Sequence, residues 1–344
     1  MTAPGTGTSQ TPDPAGVDRE LAVTVVIPTV GRDTLLAAVR SAAGQTRRPA
    51  KIVVVVDGSD GSGLPAAVRD EPLVDVMVTG GGAGPAGTRM RGARQAAGDL
   101  VAFLDDDDEW LPDKLERQVA AYRAARRGAR LPLVSCPVLV VDGAGAVLDV
   151  APRRTMRAPG EDVAEFLFRR SPRRDSGFGM GSSTLLCDRE LLRVVPWDEA
   201  RTLHEDWEWV IRAARHPEVR VVMLPEPLVR YLSHPPGTSA SQPRGGWRRS
   251  QEFAESTVRS PRARGDFLLC VTALMALSEG SRGAALGVAR RAAVHARPGP
   301  AAWVLFVAHL AAPRRGGTAL GRLRGTLRRP GPRGARGHLG TPAR

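Results

Sequence analysis

The sequence predicts an α/β fold: an open, mostly parallel mixed sheet of Rossmann-like type flanked by helices, with a helical extension toward the C-terminal end. Three observations predict it. Short apolar runs, of which Lys51-Ile52-Val53-Val54-Val55-Val56 is the clearest, alternate with segments of helical periodicity, as strands covered on both faces do. Aspartates close two of the runs, Asp57 and Asp105, at the strand ends where such sheets bind ligands. Beyond about Arg248 the strand-like runs stop and helical segments follow one another.

Each element has its own signal. Ala22 to Ile27 reads as a buried strand ended by Pro28. Thr34 to Gly44 has helical spacing, with Leu35, Leu36 and Val39 on one face. The strand 51–56 is broken by Asp57-Gly58-Ser59-Asp60-Gly61. A short helix over 65–69, a strand over 74–78, a glycine-rich loop over 80–87, a helix over 88–97 and a strand over 100–104 complete a β-α-β-α-β-α-β order. Leu111 to Ala125 is a helix with Pro112 in its first turn. Leu133 to Val141 and Ala146 to Val150 form a strand pair around Asp142-Gly143. A helix at 163–168, a strand at 182–187, helices at 189–193 and 206–214, and strands at 219–223 and 228–232 follow. The extension carries helices over 267–277, 283–295 and 301–310. The domain boundaries read as a disordered leader over 1–20, the α/β domain over 21–247, the helical extension over 248–312 and a disordered basic tail over 313–344.

Composition narrows the function classes. The chain has 344 residues, 42% apolar, so it can bury a sizeable core, but aromatics are only 4% and that core must be aliphatic. The net charge of +13 is carried almost wholly by arginine, since Lys51 and Lys114 are the two lysines. Coding bias or oxyanion binding would each produce that preference. Cys136, Cys187 and Cys270 are scattered and odd in number, which argues for a reducing compartment and against a disulfide scaffold or structural zinc. No apolar run reaches the roughly 18–20 residues of a spanning helix. The expected location is cytoplasmic. A basic tail beside the apolar Ala301 to Leu310 segment suits peripheral contact with the inner face of the membrane. Nucleic acid is not an expected partner, because aromatics for base stacking are not interleaved with the arginines.

The chemistry concentrates in Asp105-Asp106-Asp107-Asp108. Four neighbouring carboxylates at a strand end repel one another and are costly to desolvate. A hard divalent cation, Mg²⁺ or Mn²⁺, resolves this by bridging carboxylates to substrate phosphates. The alternative is a solvated acidic turn at the start of the following helix.

The motifs in order resemble the family 2 glycosyltransferases of the GT-A fold. They are Val25-Val26-Ile27-Pro28-Thr29, Val54-Val55-Val56-Asp57-Gly58-Ser59-Asp60, the Gly84 to Gly92 segment with Arg89, Phe103 to Leu115 with its Trp-x-Pro-x-Lys-Leu ending, and His204-Glu205-Asp206-Trp207 with Arg212. The resemblance covers roughly 22–240. It departs from the family at Thr88-Arg89-Met90, where Ala-Arg-Asn is frequent, and at Gly58, where a second Asp is frequent.

What the resemblance implies is specific. The donor is a nucleotide-sugar, most often a UDP-sugar, and the acceptor is a glycan, lipid-linked or small-molecule hydroxyl. Pro28, Thr29, Arg32, Asp57, Arg89, Asp105 and Asp106 are implied to hold the donor, with Asp57 accepting from the base and Arg89 near the phosphates or paired with an aspartate of the run. Asp107, with Asp105 and His234, is implied to hold Mn²⁺ or Mg²⁺. Asp206 is the implied catalytic base, with Glu205 as the adjacent alternative. Without a Gln-x-x-Arg-Trp motif, single-sugar transfer is expected. Sugar and acceptor choice is expected to lie in 152–181 and the C-terminal helices. Two other readings are a nucleotidyltransferase on a related sheet, which Pro28-Thr29-Val30-Gly31-Arg32 fits poorly, and a basic binding protein.

Overall fold

The computed structural model describes residues 20–154, 162–170, 179–233 and 245–311. The leader expected over 1–20 (Glu20 apart), the tail expected over 313–344, His234, and residues 155–161 and 171–178 of the expected specificity stretch lie outside the described residues.

The first part of the chain builds β1 (Val23–Thr29), α1 (Leu35–Ala43), β2 (Lys51–Val56), α2 (Ala66–Arg69), β3 (Val74–Val78), α3 (Gly84–Gln95) and β4 (Leu100–Phe103). There follow β5 (Glu109–Trp110), α4 (Lys114–Arg126), β6 (Leu131–Ser135), β7 (Val138–Val141), β8 (Val147–Ala151) and α5 (Val163–Phe168). Next come β9 (Leu186–Asp188), α6 (Arg189–Val194), α7 (Glu205–Ala213), β10 (Val219–Met223) and β11 (Val229–Leu232). The helical extension holds α8 (Gly246–Thr257), α9 (Pro261–Phe267), α10 (Ala273–Ser278), α11 (Arg282–His295) and α12 (Pro300–Ala311). A π-helical stretch, Leu268–Thr272, joins α9 to α10.

The main sheet has seven strands in the order β10-β6-β9-β4-β1-β2-β3. Neighbours are parallel except at β9, which runs antiparallel to both β4 and β6. Side-chain alternation sends each strand's residues to two faces. Val26, Val53, Val55, Val101 and Phe103 join one core, with α3, α5, α7 and the C-terminal helices. Val25, Ile27, Ile52, Val54, Leu100 and Leu104 join the other, with α1 and α4. The spacing of Leu35, Ala38, Val39 and Ala42 presents one stripe of α1 to that second core.

Close approach fixes one glycine. α3 lies across β1 and β2, and a Cβ on Gly92 would stand 2.5 Å from Val26 Cγ1 and 2.9 Å from Val55 Cγ2. Gly92→Ala is therefore expected to lower unfolding free energy by about 1–3 kcal/mol through overpacking. Denaturant midpoints would show it; an unchanged midpoint would mean α3 lifts freely from the sheet.

Five expectations are corrected. The run 133–141 is not one strand: it breaks at Cys136-Pro137 into β6 in the main sheet and β7 in a second one. That second sheet has the order β5-β11-β7-β8. Residues 182–187 divide into a 3-10 turn, Ser182–Thr184, and β9. α3 begins at Gly84 and not at Thr88, taking in half of the expected loop. The helix expected from Leu111 begins at Lys114. The expected 247/248 boundary falls inside α8, and the C-terminal helices share a core with the sheet: Phe253, Phe267 and Leu269 lie in the same cluster as Phe103 and Val26.

Candidate active site

Parallel strands bring their carboxyl ends to one edge. Asp57 follows β2 and Asp105 follows β4, on either side of β1, whose last residue is Thr29. The chain turns after Leu104, with Asp108 N–H donating to Asp105 O at 3.2 Å, so the four carboxylates fan out around a tight bend.

Arg89 organises one side of the fan. It reaches from α3 and is 4% exposed. Its Nη2 donates to Asp105 Oδ1 at 2.5 Å and to Ser182 Oγ at 2.9 Å, and its Nη1 donates to Glu205 Oε1 at 3.0 Å. Ser182 Oγ donates in turn to Asp105 Oδ2 at 2.6 Å. Burial alone would lower the pKa of this guanidinium, but the carboxylates of Asp105 and Glu205 raise it further above its usual value. One buried cation thus joins the end of β4 to the start of α7.

Arg32 organises the other side. Its Nη1 donates to Asp106 Oδ1 at 2.8 Å and to Asp107 Oδ2 at 2.7 Å. Thr29 Oγ1 donates to Asp106 Oδ2 at 2.5 Å and accepts from Gly31 N–H at 2.9 Å. Thr29, Arg32 and Asp106 are therefore engaged with one another. Burial, with Asp107 and Asp105 adding to it, raises the Asp106 pKa against the pull of Thr29 and Arg32.

Asp108 faces away from both cations. Its Oδ2 accepts from Ser183 Oγ at 2.5 Å and its Oδ1 from Leu232 N–H at 3.3 Å, which ties the bend to β11. Burial and the charges of Asp105 and Asp107 hold its carboxyl well above the usual range.

The Trp-x-Pro-x-Lys-Leu ending serves the 182–184 turn. Trp110 Nε1 donates to Ser183 O at 2.9 Å, and Gln118 Nε2 donates to Thr184 O at 2.7 Å. Lys114 is fully buried, 3.8 Å from the centre of the Trp110 ring, and donates to Gln118 Oε1 at 2.7 Å. Burial pushes its pKa down to about 8. This motif thus holds the backbone that aims Ser182 and Ser183 at the aspartates.

α7 opens on the acidic pair. His204 precedes it in the left-handed region, at φ +56°, which is uncommon for a residue with a side chain. The His204 ring stacks on Trp207 at 5.1 Å, and its Nε2 lies 3.0 Å from Ser250 Oγ in α8. Burial, with Arg201 nearby, pushes its pKa down to about 3, so it is a neutral anchor and not a proton carrier. Asp206 Oδ1 accepts from Trp207 N–H at 2.7 Å. Burial first, and the Glu205 carboxylate second, push the Asp206 pKa up to about 7 against the pull of Arg89.

Asp57 caps α3. Its Oδ1 accepts from Thr79 Oγ1 at 2.6 Å and Ala83 N–H at 2.9 Å, and its Oδ2 from Gly84 N–H at 2.8 Å. Burial works to raise its pKa, but these bonds win and the net shift is downward. A base contact there would use the remaining lone pair of Oδ2.

The donor set suits a hard cation. Arg32 already acts as a positive bridge between two aspartates, and the candidate ligands among the described residues, Asp105 and Asp107, offer carboxylate oxygens. Among the described residues no three acidic, imidazole or thiol groups converge on one point. Asp107 and Asp105 are the carboxylates that could hold such an ion.

The family model described as Glycosyl transferase family 2 matches residues 24–133, the stretch that carries Asp57, Arg89 and the four aspartates. The amylovoran biosynthesis glycosyltransferase AmsB of Erwinia amylovora is 28% identical over 220 residues, 62% of this chain and 70% of AmsB. Residues 24–133 thus carry a family 2 glycosyltransferase segment. This glycosyltransferase is also 28% identical over 100 residues to the Escherichia coli UDP-Glc:alpha-D-GlcNAc-diphosphoundecaprenol beta-1,3-glucosyltransferase WfgD, covering 28% of this chain and 40% of WfgD. Its fold is that of the crystal structure of S. aureus TarS 1–349 in complex with UDP-GlcNAc, with a TM-score of 0.54 at 15% identity over 79% of each chain.

In this glycosyltransferase Asp105, Arg89 and Glu205 lie in direct contact, with Asp206 beside them. Thr29, Arg32, Asp106 and Asp107 form a second contacting set. Asp57 is engaged at α3, and Pro28 pairs with Val55 in the sheet. Four residues of the site had no signal: Ser182 and Ser183, hidden in an apparent strand, Trp197, whose ring lies 5.3 Å from the Arg89 guanidinium, and Tyr231. Desolvation of its hydroxyl and the carboxylates of Asp108, Asp107, Asp105 and Asp206 raise the Tyr231 pKa, although 46% of the residue is exposed.

Proposed function

We propose that this glycosyltransferase moves one sugar, with inversion, from a nucleotide-sugar donor, a UDP-sugar first among candidates, to a hydroxyl of a glycan or lipid-linked acceptor in polysaccharide or cell-envelope glycan synthesis. The observation that carries this reading is the Arg89 junction. It holds an aspartate of the expected donor site and the acidic pair of the expected acceptor site against one guanidinium. The amylovoran role in the name of AmsB and the lipid diphosphate acceptor in the name of WfgD support the pathway class and the acceptor class. The UDP-GlcNAc bound to TarS supports a uridine donor on this fold.

The chemistry follows from the residues. The acceptor oxygen attacks the anomeric carbon, the bond from that carbon to the diphosphate oxygen breaks, and the bonding pair leaves on the diphosphate. The acceptor proton passes to the Asp206 carboxylate, whose raised pKa makes it a better base than an ordinary aspartate. Mn²⁺ or Mg²⁺, bound by Asp107 and Asp105, would supply Lewis-acid stabilisation of the leaving diphosphate. Arg89 fixes Glu205, and with it the first turn of α7 that carries Asp206. Arg32 bridges Asp106 and Asp107 and offsets their mutual repulsion.

Thermal unfolding with UDP-, GDP- and dTDP-sugars, each with Mn²⁺ and with EDTA, tests the donor and the ion together. A UDP-sugar is expected to raise the Tm most, and EDTA to remove most of the rise. A larger rise with another nucleotide would reassign the donor, and a rise insensitive to EDTA would remove the ion from the reading.

A further inference from the structure

We propose that Ser250 and Thr272, both in the helical extension, are positioning residues of the transfer reaction: they hold the His204 ring, and through it the first turn of α7 that carries Asp206. This role rests on the reading of Asp206 as the base.

The start of α7 is held from two sides. On the sheet side Arg89 fixes Glu205. On the other side stands His204, the N-cap residue, at φ +56°. That conformation is uncommon for a residue with a side chain, so tertiary contacts have to select it. It turns the chain into the helix, and Glu208 N–H donates to His204 O at 2.9 Å to open it. Glu205 and Asp206 come next in the chain, so a change in the His204 torsions moves both carboxylates. The ring has a second link to the base: it stacks on Trp207, whose N–H donates to Asp206 Oδ1.

The ring itself is held by the helical extension. Phe253 and Phe267 lie against it, with ring centres at 5.1 and 5.3 Å. Aromatic neighbours supply bulk, and hydrogen bonds supply direction. His204 Nε2 lies 3.0 Å from Ser250 Oγ, and Ser250 Oγ lies 2.8 Å from Thr272 Oγ1. Both Ser250 and Thr272 are fully buried. For stability alone, apolar side chains of the same shape would fill this space about as well. A satisfied chain of buried polar groups instead specifies a single arrangement.

The backbone bends to supply the second hydroxyl. Thr272 closes the π-helical stretch, in which Ala273 N–H donates to Leu268 O, five residues back. The extra residue shifts the helical phase of the chain beyond it by about 100°, one residue's worth. Such stretches are rare and frequently mark functional sites. This one packs on α8, and α8 packs on α7. The helical extension thereby reaches the base through three side chains.

Turnover of the nucleotide-sugar that raises the Tm most, read as release of nucleoside diphosphate by the full chain, tests this role. The variants are Ser250→Ala, Thr272→Val and Thr272→Ser, each alone and combined with Asp206→Asn. Ser250→Ala and Thr272→Val are expected to lower kcat roughly tenfold, because small misplacements of a reacting group are costly, and to leave the donor-induced Tm shift unchanged. Thr272→Ser retains the hydroxyl and should retain most of kcat. In the Asp206→Asn background neither Ser250→Ala nor Thr272→Val should lower kcat further, since the group they position is gone. Circular dichroism and the unliganded Tm verify folding, and where one of the two variants fails to fold the other decides. Unchanged kcat, or the same fractional loss in both backgrounds, would overturn the proposal and leave Asp206 as the base. Full activity of Asp206→Asn alone would overturn the base assignment and this positioning role with it.

Discussion

Asp206→Asn is expected to lower kcat by about 10²–10⁴-fold, the range for losing a positioned general base. The amide keeps the shape and the hydrogen bond from Trp207 N–H, so donor binding should stay close to that of the unmodified enzyme. The pH profile carries the sharper signature. A base works deprotonated, and burial beside Glu205 lifts this carboxyl to about 7. In the free enzyme kcat/KM should therefore climb about tenfold per pH unit up to about pH 7 and level off above it. An unperturbed aspartate would already have reached its plateau by about pH 5. A flat profile between pH 5 and 7, or the same acidic limb in Asp206→Asn, would remove Asp206 from the role.

Arg89→Met is expected to act on stability and on chemistry at once. The methionine fills much of the space but leaves Asp105 and Glu205 without their shared cation. Their side chains are 28% and 13% exposed, so water relieves only part of the loss. Breaking a largely buried pair on one side costs about 3 kcal/mol or somewhat more. Activity should fall at least about a hundredfold, because α7 and β4 lose the clamp that holds their carboxylates in register. Arg89 also pulls the Asp206 pKa down. Its removal should therefore move the acidic limb of kcat/KM to higher pH in whatever activity remains. Arg89→Lys should rescue little, since one ammonium cannot hold two carboxylates in the fork geometry of a guanidinium. Unfolding curves and the pH profile of the residual rate separate the two effects; a limb that does not move would show that Arg89 and Asp206 are electrostatically independent.

The fold class and the acidic residues were legible for local reasons. Strands β1, β2 and β4 are apolar along almost their whole length, and a carboxylate at the end of such a run stands out. The pair Glu205-Asp206 opens a helix, where acids favour the N-terminus. What stayed hidden depends on distant partners. α3 starts four residues early because Asp57, some 26 residues upstream, caps its amide groups, and the glycines of 80–87 gave no hint of that. Ser182 and Ser183 precede an apolar run, so they read as its first residues, yet the turn they form is held by Trp110 and Gln118 from another part of the chain. The break at Cys136-Pro137 had a visible signal, since proline cannot donate to a central ladder. Arg89 was named, but its bond to Glu205 spans a separation of 116 residues, which no local pattern encodes.

The capped end of α3 has one more consequence. A helix that follows a parallel strand usually offers its free amides to a phosphate. Here those amides already hold an anion of the protein's own making, the Asp57 carboxylate, with Thr79 completing its shell. A diphosphate that approached this helix end would meet like charge where other sheets of this kind present a welcome. The pull on a donor would then have to arise one strand over, at Arg32, so the expected path of the nucleotide follows the β1 side of the sheet edge.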